Sequence, residues 1–212
     1  MHRPTPAPAP RRRTGSRTAL VPAARLQGWV DRFAAGHGAL VVDLDDGGLV
    51  LRAADGATAS LKAPWPADGR PGRGATELER LASLATQERA LGLLLIRRGG
   101  YAIAAASGST ILASKSGNRF VEARATAEHA FRIFSEYRVE YIVPGGDRTL
   151  VNQLLAHPAL KSVAGRTRLA FLDVQEPRSA VLPKAAADAC SIRITVSDGP
   201  VQQPPGARFS GA

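Results

Sequence analysis

Two cationic clusters stand inside the apolar stretch 88–120, ERALGLLLIRRGGYAIAAASGSTILASKSGNRF: Arg97 with Arg98, and Lys115 with Arg119. Guanidinium and ammonium groups grouped this way are the side chains that hold phosphate, since each combines positive charge with several donors. Together with Arg124 they form a candidate contact set for RNA phosphates. The ordinary alternative is a solvated sheet rim in an arginine-rich chain, with Gly99 and Gly100 serving a tight turn.

Other chemistry finds little support in the residue pattern. The single Cys190 excludes an intramolecular disulfide. No paired Cys/His spacing is present, so no metal or cofactor is expected. Glu128 and His129 are neighbours at i and i+1 and do not face each other on a helix. His37 and His157 stand beside turn residues, and Gln153 lies on an amphipathic helix next to Leu154, where a surface amide is the ordinary reading. The cluster Asp43, Asp45, Asp46 is explained by a hairpin turn. The segment GLLLI carries no acid to hold Mg²⁺, and neither a G-x-S-x-G elbow nor a phosphate loop occurs. No catalytic residue is assigned.

The elements that must position the cationic residues follow from periodicity. Leu26, Trp29, Val30 and Phe33 recur at helical spacing before Gly36 and Gly38, and 40–63 alternates as a three-stranded meander. The Pro- and Gly-punctuated stretch 64–75 reads as a linker, and 76–90 as a helix. The run LGLLLIRRGG is a central strand, with YAIAAASGSTILASKSG pairing back on it through Ser107-Gly108. TAEHAFRIFSEYR reads as a helix of ten to twelve residues in which Phe131, Phe134 and Tyr137 share a spacing that suits either a cover for the sheet or a dimer contact. VEYIVPGGD is a strand, RTLVNQLLAHPAL a helix, and RLAFLDVQEP and SIRITVS the last strands. The alternation is that of an α/β sheet whose ligands gather at strand ends. The expected organisation is a disordered Arg/Pro-rich arm over 1–18, a helix plus β-meander unit over 19–63, the linker, an α/β domain over 76–197, and a disordered tail over 198–212.

Composition agrees with this division. With 44% apolar residues the 212-residue chain can build a core, and with only 5% aromatics that core must be Ala, Val and Leu. A net charge of +10 points to an anionic partner, nucleic acid, the ribosome or an anionic membrane, although a high-GC codon bias would also enrich arginine. There is no run of about twenty apolar residues and no secretory signal, so a cytoplasmic location is expected.

The stretch from ERALGLLLIRRGG to ASKSGNRFVEARATA resembles the actinobacterial Vms-like release-factor family, the acVLRF peptidyl-tRNA hydrolases, and VPGGDRTLVNQLLAHPAL and FLDVQEPR extend the resemblance over most of 20–196. It implies a mixed sheet like the middle domain of eukaryotic class-one release factors, related to the RNase H arrangement. It implies as partners the large ribosomal subunit and peptidyl-tRNA, and release of stalled nascent chains as the activity. Arg97, Arg98, Lys115, Asn118, Arg119 and Arg124 fall on the implied RNA-facing positions. The family places a glycine pair, a glutamine and an Arg-rich long helix directly after the segment matching RATA. Here RATA runs straight into EHAFRIFSEYR, without that loop and with a shorter helix. The resemblance therefore implies a release-factor-like protein degenerate in catalysis. The alternative is a non-catalytic tRNA- or ribosome-binding domain, or a protein-interaction domain that uses a sheet edge.

Overall fold

The computed structural model describes residues 16–45, 47–118 and 123–199. The expectations placed on 1–15, Asp46, Arg119 and 200–212 lie outside the described residues. The elements in chain order are β1 (Ser16–Val21), α1 (Leu26–His37), β2 (Leu40–Asp45), β3 (Gly48–Ala53), β4 (Thr58–Lys62), α2 (Glu77–Ala85), β5 (Ala90–Arg97), β6 (Gly100–Ser107), β7 (Thr110–Gly117), α3 (Ala123–Glu136), β8 (Tyr141–Gly146), α4 (Arg148–Leu155), α5 (Lys161–Ala164), β9 (Thr167–Arg168), α6 (Leu182–Ala189) and β10 (Ile192–Ser197).

They build an α/β molecule around two five-stranded sheets. One is antiparallel, in the order β1-β10-β4-β3-β2, and the other is mixed, in the order β7-β6-β5-β8-β9. Within the mixed sheet β5 runs parallel to β8, and β8 parallel to β9. The mixed sheet is covered on both faces. Leu91, Leu93 and Leu95 pack with α6 residues Leu182, Ala185 and Ala186, while Leu94 and Ile96 pack with Phe134, Val151 and Leu154 from α3 and α4. Burial on both faces is why the central strand reads as a continuous apolar run rather than an alternating one. The antiparallel sheet buries one face, where Leu49, Leu51 and Leu61 meet Leu26, Val30 and Phe33 of α1 and Leu81 of α2. α2 starts cleanly because Thr76 and Glu79 form a capping box, the Thr76 hydroxyl accepting from the Glu79 amide at 3.2 Å.

Several sequence expectations need correction. Ser16, Arg17 and Thr18 belong to β1 rather than to the arm, because each pairs in register with β10. SIRITVS does not extend the mixed sheet. It is inserted between β1 and β4, where Ile192, Ile194 and Val196 join the other core. Period-2 alternation specifies a half-buried strand but not its partner, so this long-range choice was not legible. The segment 100–117 forms two strands, β6 and β7, meeting at the turn expected at Ser107-Gly108. RLAFLDVQEP contributes only the two-residue β9 and one bridge from Leu172 to Gly145, although Leu169, Leu172 and Val174 pack on one core and Phe171 on the other. α3 has 14 residues because Ala123, Arg124 and Ala125 join its start. α6 was not anticipated; Pro183 stands in its first turn, where a missing N–H costs nothing.

The stretch 64–75 is a tied strap rather than a free linker. Trp65 is 4% exposed and its indole N–H donates to the Leu84 carbonyl at 3.0 Å. Asp68 accepts from the Tyr141 hydroxyl at 2.6 Å, from Arg70 at 2.6 Å and from Arg89 at 3.2 Å. Arg70 also donates to Glu140 at 2.6 Å, and the Arg89 guanidinium lies 5.7 Å from the Trp65 ring centre. Burial pushes the Asp68 carboxyl up, but the donors from Tyr141, Arg70 and Arg89 outweigh it and hold the group below the ordinary carboxylate range.

Candidate nucleic-acid interface

Because β5 and β8 are parallel, their C-terminal ends, Arg97 and Gly146, open on the same side of the mixed sheet. The turn after β8 is built on a close approach. A Cβ at Gly146 would fall 2.2 Å from the Ile96 carbonyl oxygen, and its φ of +91° lies where side chains are strained. That approach lets the Asp147 amide donate to Ile96 at 2.7 Å. The Asp147 carboxylate then caps α4, accepting from the Thr149 amide at 2.8 Å and the Leu150 amide at 3.1 Å. On the other side, Arg97 Nε donates to the Val174 carbonyl at 2.8 Å, with Asp173 3.7 Å away, and fixes the polar segment that failed to become a strand.

Between these walls lies a cleft of about 890 Å³ lined by Arg97, Arg98, Asn118, Asp147, Gln175 and Arg178, among others. The structure thus brings three of the expected residues, Arg97, Arg98 and Asn118, to one place. Lys115 does not line it. That residue stands exposed on edge strand β7, opposite Ile103. Arg124 does not line it either; it is exposed on the first turn of α3 and donates to Glu128 at 2.9 Å, a contact that lowers the Glu128 carboxyl. Asp147, Gln175, Glu176 and Arg178 were not anticipated as lining residues. For Asp147 a signal existed, because an Asp directly after a glycine turn and before an amphipathic run is a helix cap. For 175–178 there was none, since their place depends on Arg97 capturing a distant carbonyl.

The lining sets three arginines against two carboxylates. Arg178 lies 3.0 Å from Glu176, and Arg97 is engaged by Val174 and Asp173. Arg98 has no ion-pair partner among the described residues. Guanidinium groups beside the amides of Asn118 and Gln175 suit a ligand that carries both phosphate and hydrogen-bonding edges, as a nucleotide does. We expect Gly146→Ala to lower stability by more than about 1 kcal/mol, read by thermal unfolding, because the Cβ meets backbone and the φ is unfavourable. Gly99→Ala, which meets nothing within 4 Å, serves as the silent control.

Cys190, His37 and His157 are occupied or shifted, whereas the buried Nδ1 of His129 has no hydrogen-bond partner among the described residues. Burial, with Glu88 nearby, pushes the Cys190 thiol up to about 11, so it is not a thiolate at neutral pH. His37 Nδ1 lies 2.8 Å from Asp55, and His157 Nδ1 accepts the Ala159 amide at 3.2 Å. Among the described residues no group of three His, Cys, Asp or Glu is placed to hold a metal ion, and no helix is long and apolar enough to cross a membrane. α3 runs unbroken from Ala123 to Glu136 and buries Thr126 and Ala127.

The model of one family, the Actinobacteria/chloroflexi VLRF1 release factor, matches residues 121–195, from the approach to α3 through most of β10. The match supports the family resemblance and takes in VPGGD, which shapes one wall of the cleft, and FLDVQEPR, which shapes the other. No curated protein matches the chain.

Proposed function

We propose that this chain is a release-factor-like protein of the peptidyl-tRNA hydrolase type that holds the RNA of peptidyl-tRNA on the large ribosomal subunit without itself cleaving the ester. The observation that carries the reading is the convergence of Arg97, Arg98 and Asn118 on one cleft, walled by segments that match a release-factor family. In this reading the mixed sheet corresponds to the middle domain of eukaryotic class-one release factors. Arg98, free of an ion-pair partner among the described residues, takes a phosphate. The amides of Asn118 and Gln175 contact sugar or base, while Lys115 and Arg124 add flanking phosphate contacts outside the cleft. The unbroken α3, with Thr126 and Ala127 in the core, supports the non-catalytic half of the proposal, because no mobile glycine segment leaves the helix where the resemblance puts the water-orienting loop.

The test is release of nascent chains from purified large subunits carrying peptidyl-tRNA, with cosedimentation read from the same tubes. The expected result is binding without release, weakening steeply between low and moderate salt. Arg98→Ala is expected to lower the slope of log affinity against log salt by about one, as for loss of one phosphate contact. Release above background would overturn the non-catalytic assignment, and failure to sediment with the subunit would overturn the proposal as a whole.

A further inference from the structure

We infer that Arg148 and Arg168 form a receptor for a terminal phosphate, the 5′-monophosphate of the RNA held in the neighbouring cleft. The inference rests on the reading of that cleft as an RNA site and adds a second, separate position to it. The position is a notch of about 160 Å³ between α4 and β9, where both arginines line the wall together with Asn152 and Phe171.

Both guanidiniums are held there by neutral groups. Arg148 lies 4.2 Å from the centre of the Phe171 ring, and Arg168 Nη1 donates to the Asn152 side-chain oxygen at 2.9 Å. Neither arginine has a carboxylate partner among the described residues. The remaining lining residues, Pro144, Val151 and Leu169, are apolar, so two positive charges share the notch with nothing of opposite sign. A ring face and an amide oxygen fix a guanidinium without neutralising it, which leaves a preorganised receptor for an anion. Arg124 and Arg178 show the other case, since Glu128 and Glu176 fix them and offset their charge as well.

Charge and size select a terminal phosphate over the other phosphates of an RNA. A backbone diester carries a single negative charge, whereas a monoester carries about 1.5 to 2 at neutral pH and so answers two guanidiniums. A diester also continues into a nucleotide on both sides. Sites that enclose a small molecule begin near roughly 300 Å³, and a water takes about 30 Å³, so the notch accepts the end of a ligand rather than a nucleoside. Its place joins it to the cleft. Arg148 directly follows Asp147, which lines the cleft, and Phe171 and Gln175 bracket the segment whose Val174 carbonyl Arg97 holds. In peptidyl-tRNA the 3′ end carries the ester, which leaves the 5′ end to supply the terminal phosphate.

The experiment uses the full chain and two labelled RNA hairpins with a single-stranded 3′ end, identical except for a 5′-monophosphate or a 5′-hydroxyl, followed by fluorescence anisotropy. The expected result is about tenfold tighter binding of the phosphorylated hairpin, a modest gain for two charge-assisted contacts. Arg148→Gln and Arg168→Gln, at exposed residues and with folding checked by thermal unfolding, are each expected to reduce that preference to below about threefold with little change for the hydroxyl hairpin. Lys161→Ala removes an exposed charge on α5 and is expected to keep the preference. Arg98→Ala is expected to weaken both hairpins alike. Equal affinity for the two hairpins, or a preference that survives both glutamine variants, would overturn the inference and leave the RNA reading of the cleft intact. Loss of the preference in inorganic phosphate equimolar with the hairpin would assign the notch to the free anion and overturn it too. Binding of neither hairpin would overturn the inference together with the reading it rests on.

Discussion

Asp68→Ala is expected to lower the free energy of unfolding by about 3–5 kcal/mol in a urea titration, because it leaves the Arg89 guanidinium charged and without its carboxylate at a site only 2% exposed. Arg89 would retain the Gln87 side-chain oxygen at 2.6 Å and the Trp65 ring, both neutral. The Tyr141 hydroxyl would lose its acceptor as well. A double variant, Asp68→Leu with Arg89→Met, is expected to recover much of the loss, since replacing both partners removes the unpaired charge. Equal instability of the single and double variants would mean that the strap acts by packing alone. The same carboxylate gives a pH dependence. Its folded-state pKa lies below the unfolded value, so its contribution is present above the ordinary carboxylate range and is lost as pH falls through and below it. Glu140, lowered by its hydrogen bond from Arg70, acts in the same direction. The acid-induced fall in stability should therefore be shallower in Asp68→Ala than in the parent protein.

Phe134→Ala is expected to cost about 3–5 kcal/mol by the same titration. The ring is fully buried between α3 and the mixed sheet. It lies so close to β5 that a Cβ added at Gly92 would come within 3.0 Å of it, so the glycine and the phenylalanine fit as a pair. A cavity there cannot close without moving β5. Phe131→Ala, at a residue 42% exposed, is expected to change stability by less than about 0.5 kcal/mol. Comparable losses at both positions would show that α3 presents a different face to the sheet.

These two predictions also mark what the sequence made legible. The spacing of Phe131, Phe134 and Tyr137 indicated a helix covering the sheet. Only burial tells that Phe134 is the anchor, Tyr137 a flank and Phe131 an outer residue. Local periodicity found α1, the meander, the central strand and β8, because each buries a face that its own residues encode. It missed the destination of β10 and the tethering of 64–75, because both depend on partners far along the chain: Lys62 and Leu20 opposite Arg193, and Tyr141 reaching back to Asp68. In the cleft, Arg97, Arg98 and Asn118 were legible from charge type and from the resemblance. Gln175 and Arg178 were not, since a coil segment folded over a strand end leaves no period to read.

The register of β10 also bears on the order of events during synthesis. β1 is made first, and its ladder partner, in register from Ser16 opposite Ser197 to Val21 opposite Ile192, is made after every other described element. The nascent chain therefore carries β1 with an open ladder, and β4 open on one side, while the mixed sheet's strands and helices are already available to pair. Contacts of such long sequence separation close slowly. The antiparallel sheet cannot be completed before β10 is made, and a chain halted before residue 192 lacks the strand that joins β1 to β4.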